Sequence, residues 1–337
     1  MSPSAPRRPL RHAYLAALAA ALTFAAAPAM GQERYRLAED AWQQQTEFEP
    51  GTPEAAIQQI RRTLRQDEPK QAEKLATAWI EQHELNHPLM PQARLLRGHA
   101  RSARKAFYDA LYDYEQVIRQ YPASDAYHEA LEQEYRIAEV YLAGFKRKFL
   151  GLRILPATGE AEILLIRLQQ RAPGTELAQK AMLRLGQHYF DQGEMGKAAD
   201  VYELFLENYP QSERRQEAML QLIRANLARF EGPAFDATGL LEAGQRLRQF
   251  ARQFPAAAEE ENVEGQLTRI EHSLARKDFE VARWYEKRGE DVSAAALYQR
   301  LIEDYPQTAP AKEAIDRLVA LDVPERMKRI ASETETE

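Results

Sequence analysis

One pattern of apolar positions recurs along the chain: an Ala, mostly large apolar residues four, seven, eight and eleven places later, and a Pro at the twelfth. It pairs Ala110 with Pro122, Ala161 with Pro173, Ala198 with Pro210, Ala243 with Pro255, and Ala294 with Pro306. Tyr114, Val117, Ile118 and Tyr121 fill the slots in one copy, and Tyr298, Leu301, Ile302 and Tyr305 in another. These offsets return to one side of a 3.6-residue helix, so each copy predicts an amphipathic α-helix with a buried stripe. The Pro ends it, because it biases the residue before it away from helix and cannot donate the next ladder hydrogen bond. Two residues later stands Ser124, Thr175, Ser212 or Thr308, each suited to cap a following helix; only the Pro255 copy lacks one. Six residues further, Ala130, Ala181, Ala218 or Ala314 leaves room for two helix backbones to approach.

The unit is therefore an antiparallel helix pair, and a degenerate copy precedes the five, with Ala72, Leu75, Ala76, Trp79 and Ile80 in the slots and His83 at the eleventh place. The Pro-to-Pro spacings are 51, 37, 45 and 51 residues, against roughly 34 for the tetratricopeptide hairpin, so lengthened helices or insertions are expected. The expected fold is all-α: a right-handed tetratricopeptide-repeat superhelical solenoid of about six helix hairpins with a concave surface lined by the first helix of each pair. Polar candidates for that lining are Arg184, Gln187, Gln221 and Asn226. Trp79, Trp284, Tyr285 and the eleventh-place aromatics have core spacing.

Outside the array, residues 1–31 read as an export signal, with Arg7, Arg8 and Arg11 before an apolar run from Ala13 to Ala27 and cleavage expected after Ala29 or Gly31. Residues 32–50 form a polar lead-in, 51–322 the repeat array, and 323–337 an acidic tail. The stretch 144–160 interrupts the array; Lys146, Arg147 and Lys148 lie there among apolar residues. A linker packed across the repeats is the favoured reading, and a basic docking surface the other.

Composition narrows the chemistry. The formal net charge is −6, and the first 31 residues hold three Arg and no acid, so the remainder is more acidic still. That excludes a basic nucleic-acid-binding face. The absence of Cys removes disulfides, thiolate metal sites, a cysteine nucleophile and a lipid-carrying cysteine, so no direct lipid anchor is expected. His83-Glu84-Leu85-Asn86-His87 matches H-E-x-x-H, the spacing that places two imidazoles on one helical face around zinc. Pro88 biases His87 out of a helix, and Met90 and Ala93 occupy the positions of the extended motif, so His83 is read as the eleventh-place aromatic instead. An exported zinc metalloprotease using His83, Glu84 and His87 is the enzyme alternative. No phosphate-loop, dinucleotide or nucleophile-elbow motif occurs, the acidic residues are read as solvated helix faces, and neither catalysis nor a cofactor is expected.

The segment Phe279 to Gly289, followed by Ala294 to Thr308 with its Tyr305-Pro306 ending, resembles the BamD (YfiO-like) family of tetratricopeptide proteins. The Leu183 to Ser212 region resembles it through Gly193, Ala198, Ala199, Tyr209, Pro210 and Ser212. The resemblance implies a non-catalytic periplasmic scaffold, peripheral to the outer membrane, that docks on barrel-assembly proteins and receives unfolded barrel segments. The alternative within the fold is a soluble periplasmic tetratricopeptide coordinator of the Tol-Pal envelope system.

Overall fold

The computed structural model describes the backbone at 34–38, 41–45, 48–149 and 152–321, with side chains described at 48–146 and 155–321. The export signal and the acidic tail lie outside these residues. Two units are distinguished, residues 1–56 and 57–337. In the first, strands β1 (Arg34–Ala38) and β2 (Ala41–Gln45) form an antiparallel hairpin within the polar lead-in.

Helix α1 (Pro53–Arg65) starts where Thr52 Oγ1 accepts from the Ala55 amide at 3.2 Å. Then follow α2 (Pro69–Gln82), α3 (Met90–Ala103), α4 (Phe107–Gln120), α5 (Ala126–Leu142), strands β3 (Lys146–Phe149) and β4 (Leu152–Pro156), and α6 (Thr158–Arg171). After these come α7 (Glu176–Asp191), α8 (Met195–Asn208), α9 (Arg215–Ala228), α10 (Thr238–Gln253), α11 (Pro255–Glu260), α12 (Val263–Lys287), α13 (Asp291–Asp304) and α14 (Ala309–Leu321). From α2 onward each helix packs on the next, and α3, α5, α7 and α9 also neighbour one another. Among the described residues from Ile57 onward this is an all-α tetratricopeptide solenoid: α1 and α2 are joined by a tight turn, the pairs α3–α4, α5–α6, α7–α8, α9–α10 and α12–α13 follow α2 in chain order, α14 closes the stack, and the β3–β4 hairpin stands between α5 and α6.

Sequence chemistry explains the repeat. The second helices α4, α6, α8, α10 and α13 each stop two residues before their Pro. Ala110, Ala161, Ala198, Ala243 and Ala294, with Ala130, Ala181, Ala218 and Ala314 on the following helices, are fully buried at the helix contacts. The tight turn inside four pairs is a left-handed residue: Asp67, Lys105, Gly193 and Gly289. It lets an amide reach back to a carbonyl of the ending helix, as Glu194 N does to Tyr189 O at 2.9 Å and Glu290 N to Tyr285 O at 3.1 Å. Asp67 places α1 and α2 in the same scheme, with Glu68 N on Thr63 O at 3.1 Å. The apolar interior is a ribbon of local cores rather than one sphere. One spans Leu95 to Leu185, the next Ala178 to Ile270, with Tyr189 touching both, and a third Phe279 to Leu321.

Several local expectations need correction. Thr175 and Thr308 cap their helices through Ala178 N and Ala311 N. Ser124 and Ser212 do not: they lie before Asp125 and Arg214, the residues that open α5 and α9. The Ser124 hydroxyl donates back to Tyr121 O at 2.8 Å, and Ser212 Oγ accepts from Arg214 N at 3.1 Å. In the copy without a capping residue, Pro255 opens α11, and Asn262, at φ +49°, caps α12 by accepting from Gly265 N. The long spacings have visible causes: the β3–β4 hairpin in one, and α11 with the 25-residue α12 in another. Within the expected insertion at 144–160, β3 and β4 pair as an antiparallel hairpin. Trp284, expected in the core, is half exposed beneath Arg288, whose guanidinium lies 4.4 Å from a ring centroid. The acids are not all solvated either: Asp113 and Glu134 are buried.

Candidate functional site

Because first helices α5, α7 and α9 neighbour one another, their polar positions share one face. Arg184 and Gln187 on α7 and Gln221 on α9 meet there in a cleft of about 250 Å³. Tyr135, Lys180, Leu183, Tyr202, Arg214 and Glu217 complete its lining. The helical period does the assembling, since Lys180, Arg184 and Gln187 repeat at one-turn intervals, as do Glu217 and Gln221. That spacing was the signal for Lys180 and Glu217, while Tyr135, Tyr202 and Arg214 enter only through packing.

Charge in the cleft is paired but donor-rich. Arg184 Nε lies 2.8 Å from Glu139 Oε1 and Lys180 Nζ 2.8 Å from Glu176 Oε1. Arg214 sits 3.7 Å from Glu176 and 3.5 Å from Glu217. The hydrogen bond and charge of Lys180 hold the Glu176 carboxyl below its ordinary range. At the floor, the Tyr202 hydroxyl is buried with no hydrogen-bond partner among the described residues. Burial pushes its phenol far up, so it stays a neutral donor. Guanidinium, ammonium, amide and phenol donors converging on one trough suit the carbonyls and carboxylates of a protein segment.

The remaining predicted residues lie elsewhere. Asn226 is buried on α9 and lines a different cleft with Asp200, Glu203, Glu242 and Arg246, its Oδ1 3.4 Å from Arg229 Nη1. Lys146 is exposed on β3, while the side chains of Arg147 and Lys148 lie outside the described residues. His83 and His87 do not share a helix: α2 ends at Gln82 and His83 is its C-cap. The His83 ring stacks on Trp79 with centroids 3.9 Å apart, its Nδ1 2.7 Å from Trp79 O. His87 Nδ1 accepts from the Leu89 amide at 3.1 Å, which leaves the proton of a neutral ring on Nε2 and no free lone pair for a metal. Among the described residues no three His, Asp or Glu side chains are grouped to hold an ion.

Residues 157–336, more than half of the chain, match the YfiO family model, described as an outer membrane lipoprotein. The chain belongs to the YfiO family. Among curated relatives, the outer membrane protein assembly factor BamD of Neisseria meningitidis serogroup B is 24% identical over 158 residues, 44% of this chain and 59% of that protein. The same-named factor of Caulobacter vibrioides is 21% identical over 152 residues, 45% of this chain and 50% of that one. The chain thus spans little more than half the length of the relatives it matches. The C-terminal part of a TPR repeat-containing protein from Cytophaga hutchinsonii superposes with a TM-score of 0.39 at 14% identity, over 79% of this chain and 88% of that one. Of the cleft, Lys180 to Gln221 fall within the YfiO match and Tyr135 precedes it. No helix among the described residues is long and apolar enough to cross a membrane.

Proposed function

We propose that this YfiO-family chain is a non-catalytic periplasmic scaffold of the BamD type, which acts in outer-membrane β-barrel assembly by docking protein segments in the α5–α7–α9 cleft. The observation that carries the reading is the convergence of Arg184, Gln187 and Gln221 on one donor-lined trough inside the family-matched region. A stack of rigid helix pairs presents such a trough already formed, so little ordering entropy is lost on docking. Residues 1–31 would direct export and be removed, and contact with the outer membrane would come through a partner. Barrel-assembly proteins and unfolded barrel segments are the proposed occupants.

The test is site-specific photocrosslinking in cells from a benzoylphenylalanine placed at Gln187 or Gln221 of the full chain. Recovery of a barrel-assembly protein at either position supports the proposal. Recovery of Tol-Pal components instead selects the envelope-coordinator reading, and peptidase activity lost on chelation would revive His83, Glu84 and His87 as a zinc site.

A further inference from the structure

The β3–β4 hairpin precedes the family match, so this site is independent of the cleft proposed above. Residues 140–159 hold four bases, Lys146, Arg147, Lys148 and Arg153, and no Asp or Glu, in a chain of formal net charge −6. Counting Glu160, at the border, against those four still leaves a surplus of three. The base of the hairpin is fixed to the helices: the Phe145 ring stacks on Tyr141 with centroids 5.6 Å apart and meets Phe107 edge-on at 4.9 Å. Beyond Phe145 the two strands pack chiefly on each other.

The strand register orders the residues from base to tip. Lys146 pairs with Pro156, Arg147 with Leu155, Lys148 with Arg153 and Phe149 with Leu152, and Ile154 is the extra residue of a bulge. Residues paired across two strands share a face, so Lys148 and Arg153 are like charges placed opposite each other, which costs stability unless an anion lies against both. The next pair toward the tip, Phe149 with Leu152, is apolar.

Charge of either sign would keep the open edges of a hairpin from pairing with other chains. Bases alone, with an apolar pair one step beyond them, match the layers of a bilayer surface, where anionic phosphates lie above hydrocarbon. An acidic protein segment matches the bases but not the apolar pair. We propose that the β3–β4 hairpin docks on an anionic phospholipid surface, with Lys148 and Arg153 at the level of the lipid phosphates and Phe149 and Leu152 beneath them. The contact is made by this chain itself, beside any made through a partner. Because a two-stranded hairpin is marginal alone, the anionic surface also relieves the repulsion within it.

The test is co-sedimentation of the full chain with vesicles of phosphatidylcholine alone and of phosphatidylcholine with about 30% phosphatidylglycerol. Expected is binding to the anionic vesicles only, weakening as sodium chloride rises from about 0.05 to about 0.5 M. Each base near such a surface contributes about fivefold, so Lys148→Ser with Arg153→Ser should weaken binding roughly 25-fold. Phe149→Ser with Leu152→Ser should weaken it roughly tenfold, whereas Lys148→Arg with Arg153→Lys should bind as the parent does. All three variants should keep the parent's thermal midpoint, which separates lost docking from lost folding. Equal binding to both kinds of vesicle, no binding to the anionic vesicles at about 0.05 M salt, or parent-like binding by the first serine variant would overturn the proposal. So would release of the bound chain by soluble poly-glutamate at a carboxylate concentration equal to that of the accessible lipid charge, which would make an acidic protein segment the occupant.

Discussion

Gly186 lies directly against the ring of Tyr202: a Cβ at position 186 would stand 2.6 Å from Tyr202 Cε1 and 2.7 Å from Cζ. Gly98 faces Tyr114 in the same way, at 2.5 Å. The contact lets α7 and α8 close to a distance that a methyl group would forbid, and it fixes the ring at the floor of the donor-lined cleft. Gly186→Ala gains about 1 kcal/mol of helix propensity but forces a buried ring to move, an overpacking cost of about 1–3 kcal/mol. The expected net effect is a loss of roughly 1 kcal/mol in urea unfolding. Gly186→Ala with Tyr202→Leu should be more stable than the two single changes predict by addition.

The hairpin turns give a prediction of opposite sign. Lys105 holds φ +59° at the turn position where Gly193 and Gly289 hold +78° and +77°. A side chain in that region costs about 1–2 kcal/mol, against which glycine loses some chain entropy. Lys105→Gly should raise stability by about 0.5–1 kcal/mol, and Gly193→Ala should lower it by about 1 kcal/mol, both read from the thermal midpoint.

These positions mark the limit of what the sequence discloses. The Ala slots and Pro stops were legible because a 3.6-residue period and a lost amide are local facts. Arg184, Gln187 and Gln221 were legible because one-turn spacing shares a face, but nothing local told that Asn226 turns into the neighbouring cleft. Asp113 and Glu134 read as solvent-facing because their guanidinium partners lie 16 and 37 residues away, pairings that only the stacked helices create. Trp284 has core spacing on α12, but the face of α12 that packs on α13 and α14 carries Phe279, Ala282 and Tyr285, which leaves the Trp284 ring on the outside under Arg288. The β3–β4 hairpin carried no alternating signal across its Gly151, and appeared only as a gap in the ruler.

Asp113 ties the third and fourth helices together. Fully buried, it accepts from Arg97 Nε at 3.1 Å, Arg97 Nη2 at 2.6 Å and Arg101 Nη1 at 2.8 Å, while Arg101 Nε also reaches Glu73 on α2 at 3.1 Å. Asp113→Ala would strand a largely buried guanidinium, at a cost of about 3–5 kcal/mol. Arg97→Met with Asp113→Leu, which removes both charges and refills the space, should cost far less than Asp113→Ala alone. Chemical denaturation of the three chains gives the comparison.

Glu134 predicts how stability depends on pH. Its ordinary value of 4.5 is raised by burial to about 7 in the folded chain. The folded state therefore binds the proton more tightly than the unfolded state. Below pH 4.5 both states are protonated and the residue contributes no pH dependence. As pH rises from 4.5 to about 7 only the unfolded state gives up its proton, so stability falls, and above about 7 the loss is complete. At full extent that loss amounts to roughly 3 kcal/mol. Glu134→Gln removes the titrating group but keeps the shape, so the stability difference between variant and parent should grow in the variant's favour from about pH 4.5 to about pH 7.5. Urea midpoints across that range provide the measurement. A difference that stays flat would mean that Arg171 already holds Glu134 ionised across that range.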